Sequence, residues 1–372
     1  MKLAFVSTMS NVPWGGSEEL WAGAAARLAD SGHDVSSLVT RWPSTPAGIE
    51  SLRARRVRIE HFPRSGPVGR ALSRLSGRQR GAPYRRFLGK IKPAFVVVSQ
   101  GGTGDGVNCM LECAERGIPY APIVQANSEL WWPEDGVRNL WIRAYRGARR
   151  IFFVSHNNAE LLECQLGLRL DNKVVVSNPW NIRIPDSTSW PLDNGGYRLA
   201  CVARLDIHAK GQDLLLRSLA RAKLTSQGGR VSFFGNGAQI DGLRSLATFL
   251  GLANVSFEGQ VSDINAVWGA HHLLVLPSRF EGSPLALNEA MWCGRPSIVT
   301  DVGGNRELCE DGVTGFVCRA PQVGLLAEAL DRAWEARARW KEMGAAARAS
   351  IDSKAPRDPV GAFCEILRDV LH

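Results

Sequence analysis

The sequence predicts an α/β protein of two domains, each built on a parallel β-sheet. The chain has 372 residues, more than a single hydrophobic core usually supports, so two domains are the default expectation. In both halves short apolar runs alternate with helical patterns, which is typical of α/β domains. Residues 181–196 interrupt the alternation with two prolines and two adjacent glycines, so we expect a linker there.

Six apolar runs in the first half predict buried strands, because both faces of a strand in a parallel sheet are covered. They are residues 3–7, 35–40, 94–99, 120–124, 151–155 and 174–177. The first helix is predicted to begin near Ser17, since Glu18 and Glu19 suit the positive end of a helix dipole, and to end at Gly32.

The same alternation resumes after residue 196. Strands are predicted at residues 197–203, 231–234, 255–257, 273–277 and 297–300. Helical spacing of apolar residues extends from Leu325 to Arg348, and a last helix is predicted at about 360–371. Because open parallel sheets bind ligands at the carboxyl ends of their strands, we expect a site in a cleft between the domains.

The composition indicates a packed globular protein. Hydrophobic residues make up 45% of the chain and charged residues 22%, which excludes a disordered chain. No run approaches the roughly 20 apolar residues of a membrane-spanning helix, and the first residues lack a signal-peptide pattern, so we expect a cytoplasmic protein. The eight cysteines are scattered without a CxxC pair, which favours reduced thiols over disulfides or zinc.

Positive charge is concentrated between Arg64 and Lys92, where nine basic residues occur without an acidic one. Three interpretations are open: a solvated loop and helix face, contact with an anionic membrane surface, or contact with nucleic acid. No nucleic-acid-binding motif accompanies the stretch, so we expect no nucleic-acid partner. Membrane contact would place the protein at the inner face of the membrane.

Two glutamates after the predicted strand 273–277 are candidate ligand-binding residues. Glu281 lies in the turn after the strand, and Glu289 lies eight positions later, about two helical turns, so both carboxylates can share one helix face. A carboxylate accepts two hydroxyl hydrogen bonds, which suits a sugar or ribose diol. In isolation, the pair also fits two solvated surface glutamates.

The same segment offers groups suited to phosphate. Ser283, Pro284 and Leu285 lie where the helix is predicted to open, and free N–H groups at a helix start attract anions. Gly303 and Gly304 follow the next strand, where glycine allows a ligand to approach the backbone.

Arg204 and Lys210 follow the first strand of the second domain and are candidates for pairing with a diphosphate. Either residue alone is more often surface charge. The chain has no D-x-D pair to hold a metal against a diphosphate. A metal-free site in which cations and a helix start stabilise the leaving group is therefore expected.

Four segments resemble, in order and spacing, the donor domain of the retaining glycosyltransferases of family 4. They are ARLDIHAKGQDLLLRSLA, FFGNGAQ, VLPSRFEGSPLALNEAMWCGRP and TDVGGNRELCEDGVTGF. The E-x7-E pattern of that family corresponds to Glu281 and Glu289. Near the start, NVPWGGSEELWAGAAARLADSGHDV is similar to the family's Gly-Gly loop, first helix and second strand start.

The resemblance implies a GT-B architecture, in which two Rossmann-like, doubly wound parallel-sheet domains face each other across a cleft. The expected domains are 1–180 on the acceptor side, 197–355 for nucleotide-sugar binding, and 356–372 as a helix crossing back to the first domain. The implied reaction moves a sugar from a nucleotide-diphosphate sugar, with retention, to a saccharide or lipid-linked acceptor in cell-surface polysaccharide or glycolipid biosynthesis. It implies no cofactor besides the donor substrate.

The resemblance also implies residue roles. Arg204 and Lys210 would neutralise the donor diphosphate and take part in catalysis. Glu281 would contact the transferred sugar, and Glu289 would hold the ribose hydroxyls.

Further roles are implied around these residues. Gly16 would let a loop of the first domain approach the diphosphate, and Gly235 and Val261 would lie around the nucleoside. Many relatives have a histidine facing the transferred sugar at the end of the strand that is YAPIVQ here, whereas this chain has Gln125. Glutamine can hydrogen-bond as a catalytic-site residue but does not ionise.

Two other classes of function stay open. A nucleotide-sugar-binding protein of the same fold without turnover is suggested by Gln125. An NAD-dependent oxidoreductase is disfavoured, because the first predicted strand leads to WGGSEE instead of G-x-G-x-x-G and no acidic residue closes the second strand.

Overall fold

A computed structural model describes residues 1–10, 12–63, 81–187, 189–192 and 196–371 of the chain. These residues form two compact units, one of Met1–Pro179 with Asp358–His372 and one of Trp180–Arg357. Each unit contains one parallel sheet with helices, which confirms the predicted α/β class. The first five arginines of the basic stretch, from Arg64 to Arg80, lie outside the described residues.

The first unit has a seven-stranded sheet in the order β3-β2-β1-β4-β5-β6-β7. Its strands are β1 Lys2–Ser7, β2 Asp34–Val39, β3 Arg58–His61, β4 Phe95–Gln100, β5 Tyr120–Val124, β6 Ile151–Phe153 and β7 Lys173–Val175. Its helices are Gly16–Asp30, Ala47–Ala54, Ala82–Ile91, Val107–Glu115, Asp135–Arg146, His156–Leu166 and Pro359–Leu371, and a 3-10 turn spans Glu129–Trp131.

The second unit has a six-stranded sheet in the order β10-β9-β8-β11-β12-β13. Its strands are β8 Arg198–Val202, β9 Arg230–Phe234, β10 Val255–Gly259, β11 Leu273–Leu276, β12 Ser297–Thr300 and β13 Gly315–Cys318. Its helices are Ile207–Lys210, Gln212–Leu219, Lys223–Ser226, Ile240–Phe249, Ile264–Ala270, Leu285–Trp292, Asn305–Leu308, Val323–Glu335 and Trp340–Lys354, and a 3-10 turn spans Arg337–Arg339.

Both faces of each sheet are covered by apolar side chains. In β1, Leu3 and Phe5 join one buried cluster, whereas Ala4 and Val6 join the cluster on the other face. Strand β11 alternates between two clusters in the same way. Successive side chains of a strand point to opposite faces. A strand that is covered on both faces is therefore a continuous apolar run, which is why the sequence predicts these central strands.

The C-terminal helix Pro359–Leu371 packs within the first unit, although the chain reaches it from the second. Phe363 meets Phe152 edge to face, with ring centroids 5.0 Å apart. Its N-terminal end is joined to the first helix by an ion pair of 2.6 Å between Asp358 and Arg27.

Two strands and one break were not predicted. Strand β3 is a partly exposed edge strand with charged residues, and β13 is a four-residue strand that begins with Gly315, so neither forms a long apolar run. The predicted helix 325–348 is two helices separated by the turn Arg337–Arg339. The break allows the fully buried Trp340 to donate a 2.9 Å hydrogen bond to the carbonyl of Ala333.

The linker prediction for residues 181–196 was wrong where the segment is described, because it packs onto the second unit. Ile182 is buried in an apolar cluster of that unit. The backbone N–H of Arg183 donates to Asn265 at 3.1 Å, and Trp190 lies under the guanidinium of Arg295. The two prolines interrupt regular secondary structure, but the segment still packs against the second unit.

Candidate functional site

Lys210 and Glu281 meet at the carboxyl edge of the six-stranded sheet. Lys210 ends the short helix after β8, and Glu281 lies in the loop after β11. The Lys210 Nζ atom is 2.6 Å from Glu281 Oε1, and the Ser278 hydroxyl donates to the same oxygen at 2.6 Å. Strands β8 and β11 are neighbours at the point where the strand order changes direction, which is where open α/β sheets bind ligands.

Two glycines allow the loops that carry these residues to touch. Gly211 has φ +64°, and a Cβ atom there would lie 2.1 Å from the carbonyl oxygen of Pro277. Gly303 has φ +53°, and its Cβ would lie 2.3 Å from the carbonyl oxygen of Glu281. Any other residue would be strained and would push the loops apart.

A second ion pair joins the same two loops. Arg279 binds Asp213 through two hydrogen bonds of 2.7 and 2.8 Å, and its backbone N–H donates to the carbonyl of Ala209 at 2.8 Å. Burial alone would raise the pKa of Asp213, but the hydrogen bonds and the positive charge of Arg279, together with backbone N–H donors, lower the pKa overall. Asp213 is therefore held ionised as a structural partner. Sequence reasoning missed this pair, although Arg279 lies two residues before Glu281.

Glu289 lies inside the helix Leu285–Trp292 and is 3% exposed. Its Oε1 accepts a 2.8 Å hydrogen bond from the backbone N–H of Asn181. Burial raises the pKa of Glu289, and the hydrogen bonds with Asn181 act in the opposite direction. The expectation that Glu281 and Glu289 share one helix face was wrong, because the helix begins only at Leu285, four residues after Glu281.

The start of this helix differs slightly from the expected one. Ser283 and Pro284 precede the helix, and Pro284 has an extended backbone with φ −71° and ψ 127°. The Asn288 side chain donates to the Pro284 carbonyl at 3.0 Å. Leu285 is the first helical residue, and the N–H groups of Leu287 and Asn288 donate to the Pro284 carbonyl.

Arg204 is exposed and lies on the loop after β8. Its side chain pairs with Asp206 at 2.7 Å, and its carbonyl accepts a 2.7 Å hydrogen bond from Gln212 Nε2. The latter bond ties the loop after β8 to the helix Gln212–Leu219. Arg204 is thus anchored by its backbone while its guanidinium remains accessible.

The remaining donor-side candidates lie at the same sheet edge. Gly235 follows β9, and its N–H donates to the carbonyl of Gly259 at 2.7 Å. Val261 follows β10 and is half-buried. Gly304 donates to the carbonyl of Gly282 at 2.7 Å, so the loops after β11 and β12 are joined through their backbones.

Two candidates belong to the first unit. Gly16 is the first residue of the helix Gly16–Asp30. Gln125 follows β5 and is buried; its Nε2 donates to the carbonyl of Ser17 at 3.2 Å, and its Oε1 accepts from Asn178 at 2.7 Å. Gln125 therefore ties the helix turn next to Gly16 to the end of β5.

Glu18 is a buried carboxyl group that sequence reasoning treated only as a helix-start charge. Its two oxygens lie 2.8 and 3.0 Å from the Ser7 hydroxyl. Burial raises its pKa to about 7, and the hydrogen bonds from Ser7 and Trp21 act in the opposite direction. The carboxyl group lies beside a small recess.

Two features are absent from the described part of the chain: a metal-binding cluster and a membrane-spanning helix. No group of three or more His, Cys, Asp or Glu side chains is arranged to hold a metal ion. No helix among these residues has the length and apolar character needed to cross a bilayer.

Residues 196–336 match the family model described as Glycosyl transferases group 1. This segment is a glycosyl transferases group 1 domain. The group 1 domain contains the Lys210–Glu281 pair, Arg204 and Glu289. The sequence resemblance to glycosyltransferases is confirmed for this part of the chain.

Curated relatives align with this chain over part of their length. Glycogen synthase of Pseudomonas syringae pv. tomato is 29% identical over 190 residues, 50% of this chain and 37% of that protein. D-inositol 3-phosphate glycosyltransferase of Mycobacterium leprae is 36% identical over 149 residues, 38% of this chain and 33% of that protein. The chain thus spans about a third of the length of these relatives.

A solved structure resembles the whole chain. HepE of Anabaena in complex with UDP has a TM-score of 0.75 at 19% identity, over 100% of this chain and 99% of that chain. Its complex with UDP-glucose has the same TM-score and identity over 99% of each chain. The likeness shows the fold, so the group 1 domain is part of a GT-B chain with two Rossmann-like sheets.

Proposed function

We propose that the protein is a glycosyltransferase that moves a sugar from a nucleoside-diphosphate sugar to a hydroxyl of a saccharide or lipid-linked acceptor in the cytoplasm. The observation that carries the proposal is the Lys210–Glu281 contact, which lies inside a group 1 domain at the switch point of its sheet. Two glycosyltransferase relatives and the UDP-bound HepE structure support it.

Arg204 and Lys210 are proposed to bind the donor diphosphate. An ammonium group has three N–H donors, so Lys210 can bind phosphate while it keeps Glu281. Arg204 would have to leave Asp206, but an exposed ion pair contributes only about 0–1 kcal/mol. Replacement of Asp206 by a diphosphate, which carries more negative charge, would therefore cost little free energy.

The two glutamates are proposed to bind hydroxyl groups of the donor. Glu281 accepts from Ser278 and Lys210 in the structure, which fixes its carboxylate for contact with the transferred sugar. Glu289 accepts from the Asn181 backbone and would also accept from the ribose. A carboxylate has about four acceptor positions, so these partners are compatible.

The proposed reaction breaks the bond between the anomeric carbon and the diphosphate oxygen while the acceptor oxygen bonds on the same face. Attack on the same face retains the configuration without a protein nucleophile. The departing phosphate takes the acceptor proton. Arg204, Lys210 and the helix start at Leu285 would stabilise the charge on the diphosphate. In the first unit, Gln125 would hold the turn next to Gly16 in place through its bond to the Ser17 carbonyl.

Release of nucleotide from UDP- and GDP-sugars, with saccharides and lipid extract as acceptors, tests the proposal. At least one pair should give acceptor-dependent release, and EDTA should leave most of it, because side chains supply the proposed cations. Complete loss with EDTA that Mg²⁺ restores would contradict the metal-free mechanism. Binding of UDP without release from any sugar nucleotide would favour a nucleotide-sugar-binding protein instead.

Single substitutions should separate the roles of the site residues. Arg204→Ala and Lys210→Ala each remove charge-assisted bonds worth about 1.5–3 kcal/mol, so kcat/KM should fall about ten- to a hundredfold. Part of the loss should be in kcat, because charge on the diphosphate grows in the transition state. Glu289→Gln should mainly raise the donor KM, and Glu281→Gln should lower kcat with UDP affinity nearly unchanged.

Arg217→Ala is the matched control for these variants, because Arg217 is exposed on the adjacent helix Gln212–Leu219. It should retain wild-type kinetics. Circular dichroism would confirm that each variant is folded. Wild-type rates in folded Arg204→Ala and Glu281→Gln proteins would refute the assigned roles.

Peripheral binding to an anionic membrane is a further part of the proposal. Arg85, Arg86, Lys90 and Lys92 are exposed, although Arg85 pairs with Glu112 and Lys90 with Glu60. The first unit also has an exposed apolar surface. This 130–140 surface consists of Leu130, Trp132, Val137 and Leu140, which are 85%, 57%, 42% and 40% exposed.

Co-sedimentation with anionic and neutral vesicles at low salt tests membrane binding. Each basic residue near an anionic surface contributes about 1 kcal/mol, and interfacial tryptophan adds to this, so the protein should prefer anionic vesicles. Trp132→Ser should weaken binding, whereas Phe249→Ser, which changes an exposed apolar residue of the second unit, should not. Equal sedimentation with both vesicle types would contradict the idea.

A further inference from the structure

A four-residue helix, Ile207–Lys210, carries Lys210 at its end. A helix of this length is not stable by itself, because too few hydrogen bonds form to offset the cost of its first turn. It also leaves carbonyl groups without partners inside the helix. The position of Lys210 at the sheet edge therefore depends on contacts from outside this helix.

Arg279, in the loop after β11, supplies two of these contacts. Its backbone N–H donates to the carbonyl of Ala209 at 2.8 Å, and its Nη1 atom donates to the carbonyl of Ile207. Both carbonyls belong to the helix that ends at Lys210, so Arg279 holds this helix at two of its four residues.

The Arg279 guanidinium is itself anchored to a well-packed helix. Its two Nη atoms donate to the two carboxylate oxygens of Asp213 at 2.7 and 2.8 Å, an arrangement that fixes the plane of the guanidinium. Asp213 lies in the first turn of the helix Gln212–Leu219, where negative charge suits the helix dipole. Leu215 of that helix is fully buried. Asp213 therefore fixes Arg279, and Arg279 in turn fixes the helix of Lys210.

We call the bonds of Arg279 to Asp213, Ile207 and Ala209 the Arg279 clamp. Arg279 lies two residues before Glu281, so the clamp lies next to the 2.6 Å contact between Lys210 and Glu281 and joins the same two loops. The clamp uses neither the Lys210 ammonium group nor the Glu281 carboxylate. It would therefore persist when those two groups bind a ligand.

Direct contact of Arg279 with a phosphate is the alternative interpretation. Both Nη atoms of Arg279 are bonded to Asp213, and the Asp213 side chain is 20% exposed. A phosphate would have to displace a partly buried carboxylate that binds through two parallel hydrogen bonds. The contacts of Arg279 thus favour a role in positioning over a role in binding.

We propose that Arg279 and Asp213 are positioning residues that align Lys210 with the donor diphosphate through the Arg279 clamp. The inference rests on the proposed function, in which Lys210 binds the diphosphate. Without the clamp, the short helix would shift, and Lys210 would lose its alignment with both Glu281 and the phosphate oxygens. Arg279 thus acts on the donor through Lys210.

A double-mutant cycle on sugar transfer tests this dependence. Arg279→Met removes the guanidinium and should lower kcat/KM roughly tenfold, because a small displacement of a positioned group can cost up to about 100-fold. In a Lys210→Ala background the same change should alter kcat/KM by less than about twofold, because coupled residues are not additive. Asp213→Asn, which removes the charge and keeps the shape of the side chain, should give a smaller loss with the same dependence on Lys210.

Reductive methylation of lysines, followed by mass spectrometry, tests the clamp without any substrate. The Lys210 side chain is 23% exposed and pairs with Glu281, so its amine should react slowly in the wild type. In Arg279→Met it should react several-fold faster. Lys223, which pairs with Glu335 at 2.8 Å, is the internal reference and should react equally in both proteins.

Arg332→Met is the matched control. Arg332 also binds an aspartate, Asp311, through two hydrogen bonds of 2.7 and 2.8 Å. Asp311 precedes β13, so this pair lies at the amino edge of the parallel sheet, away from Lys210. This variant should keep the wild-type kcat/KM and the wild-type reactivity of Lys210, and circular dichroism would confirm that each variant is folded.

Unchanged kcat/KM and unchanged Lys210 reactivity in folded Arg279→Met would overturn the inference. A loss that is equally large in the Lys210→Ala background would also overturn it, since Arg279 would then act independently of Lys210. If Arg279→Met does not fold, Asp213→Asn decides the question by the same measurements.

Failure of the inference and failure of the proposed function give different results. Sugar transfer that depends on Lys210 but not on Arg279 or Asp213 would refute the inference and leave the proposed function intact. If the wild type transfers no sugar, the proposed function fails, and the methylation rates still show whether the Arg279 clamp holds Lys210.

Discussion

Close backbone packing between the loops after β8, β11 and β12 is the constraint on which the candidate donor site depends. Gly211 lies against the carbonyl of Pro277, and Gly303 lies against the carbonyl of Glu281, at distances that exclude a Cβ atom. These contacts bring together Lys210 and Glu281, which are 71 positions apart in the chain. The charged side chains of the site thus meet because Gly211 and Gly303 allow the loop backbones to approach closely.

Charged groups at this sheet edge form ion pairs. Lys210 is held by Glu281, and Arg279 is held by Asp213. Under the proposed function, such pairing would hold the side chains in place for the diphosphate, so little reorganisation would be needed when its charge develops. Arg204 differs from both, because its partner Asp206 lies two residues away on the same loop. We infer that Arg204 makes the largest adjustment on binding.

Central strands and motif residues were predictable from the sequence, for a physical reason. Strands such as β1 and β11 are covered on both faces, so they appear as continuous apolar runs. Strand β3 is partly exposed at a sheet edge and gives no such run. The helix after Glu281 begins late because Pro284 keeps an extended backbone, which separates the two glutamates that spacing alone placed on one helix.

Contacts between distant positions were beyond sequence reasoning. Asn181 binds Glu289 through its backbone N–H. Nearly every residue type has a backbone N–H, so the sequence does not reveal this contact. From the sequence, Glu18 is predicted only as a charge at a helix start. Its burial involves Ser7 and aromatic residues of other segments, which the sequence does not place beside it. Sequence patterns therefore indicated the donor-side candidates, whereas only the fold showed that Glu18 is buried.

The measurement that tests the account most directly is a crystal structure of the full chain with UDP. The account predicts diphosphate oxygens within hydrogen-bonding distance of the Arg204 guanidinium and the Lys210 ammonium group, and ribose hydroxyls on the Glu289 carboxylate. A diphosphate that contacts neither cation, or UDP bound outside residues 196–336, would contradict it.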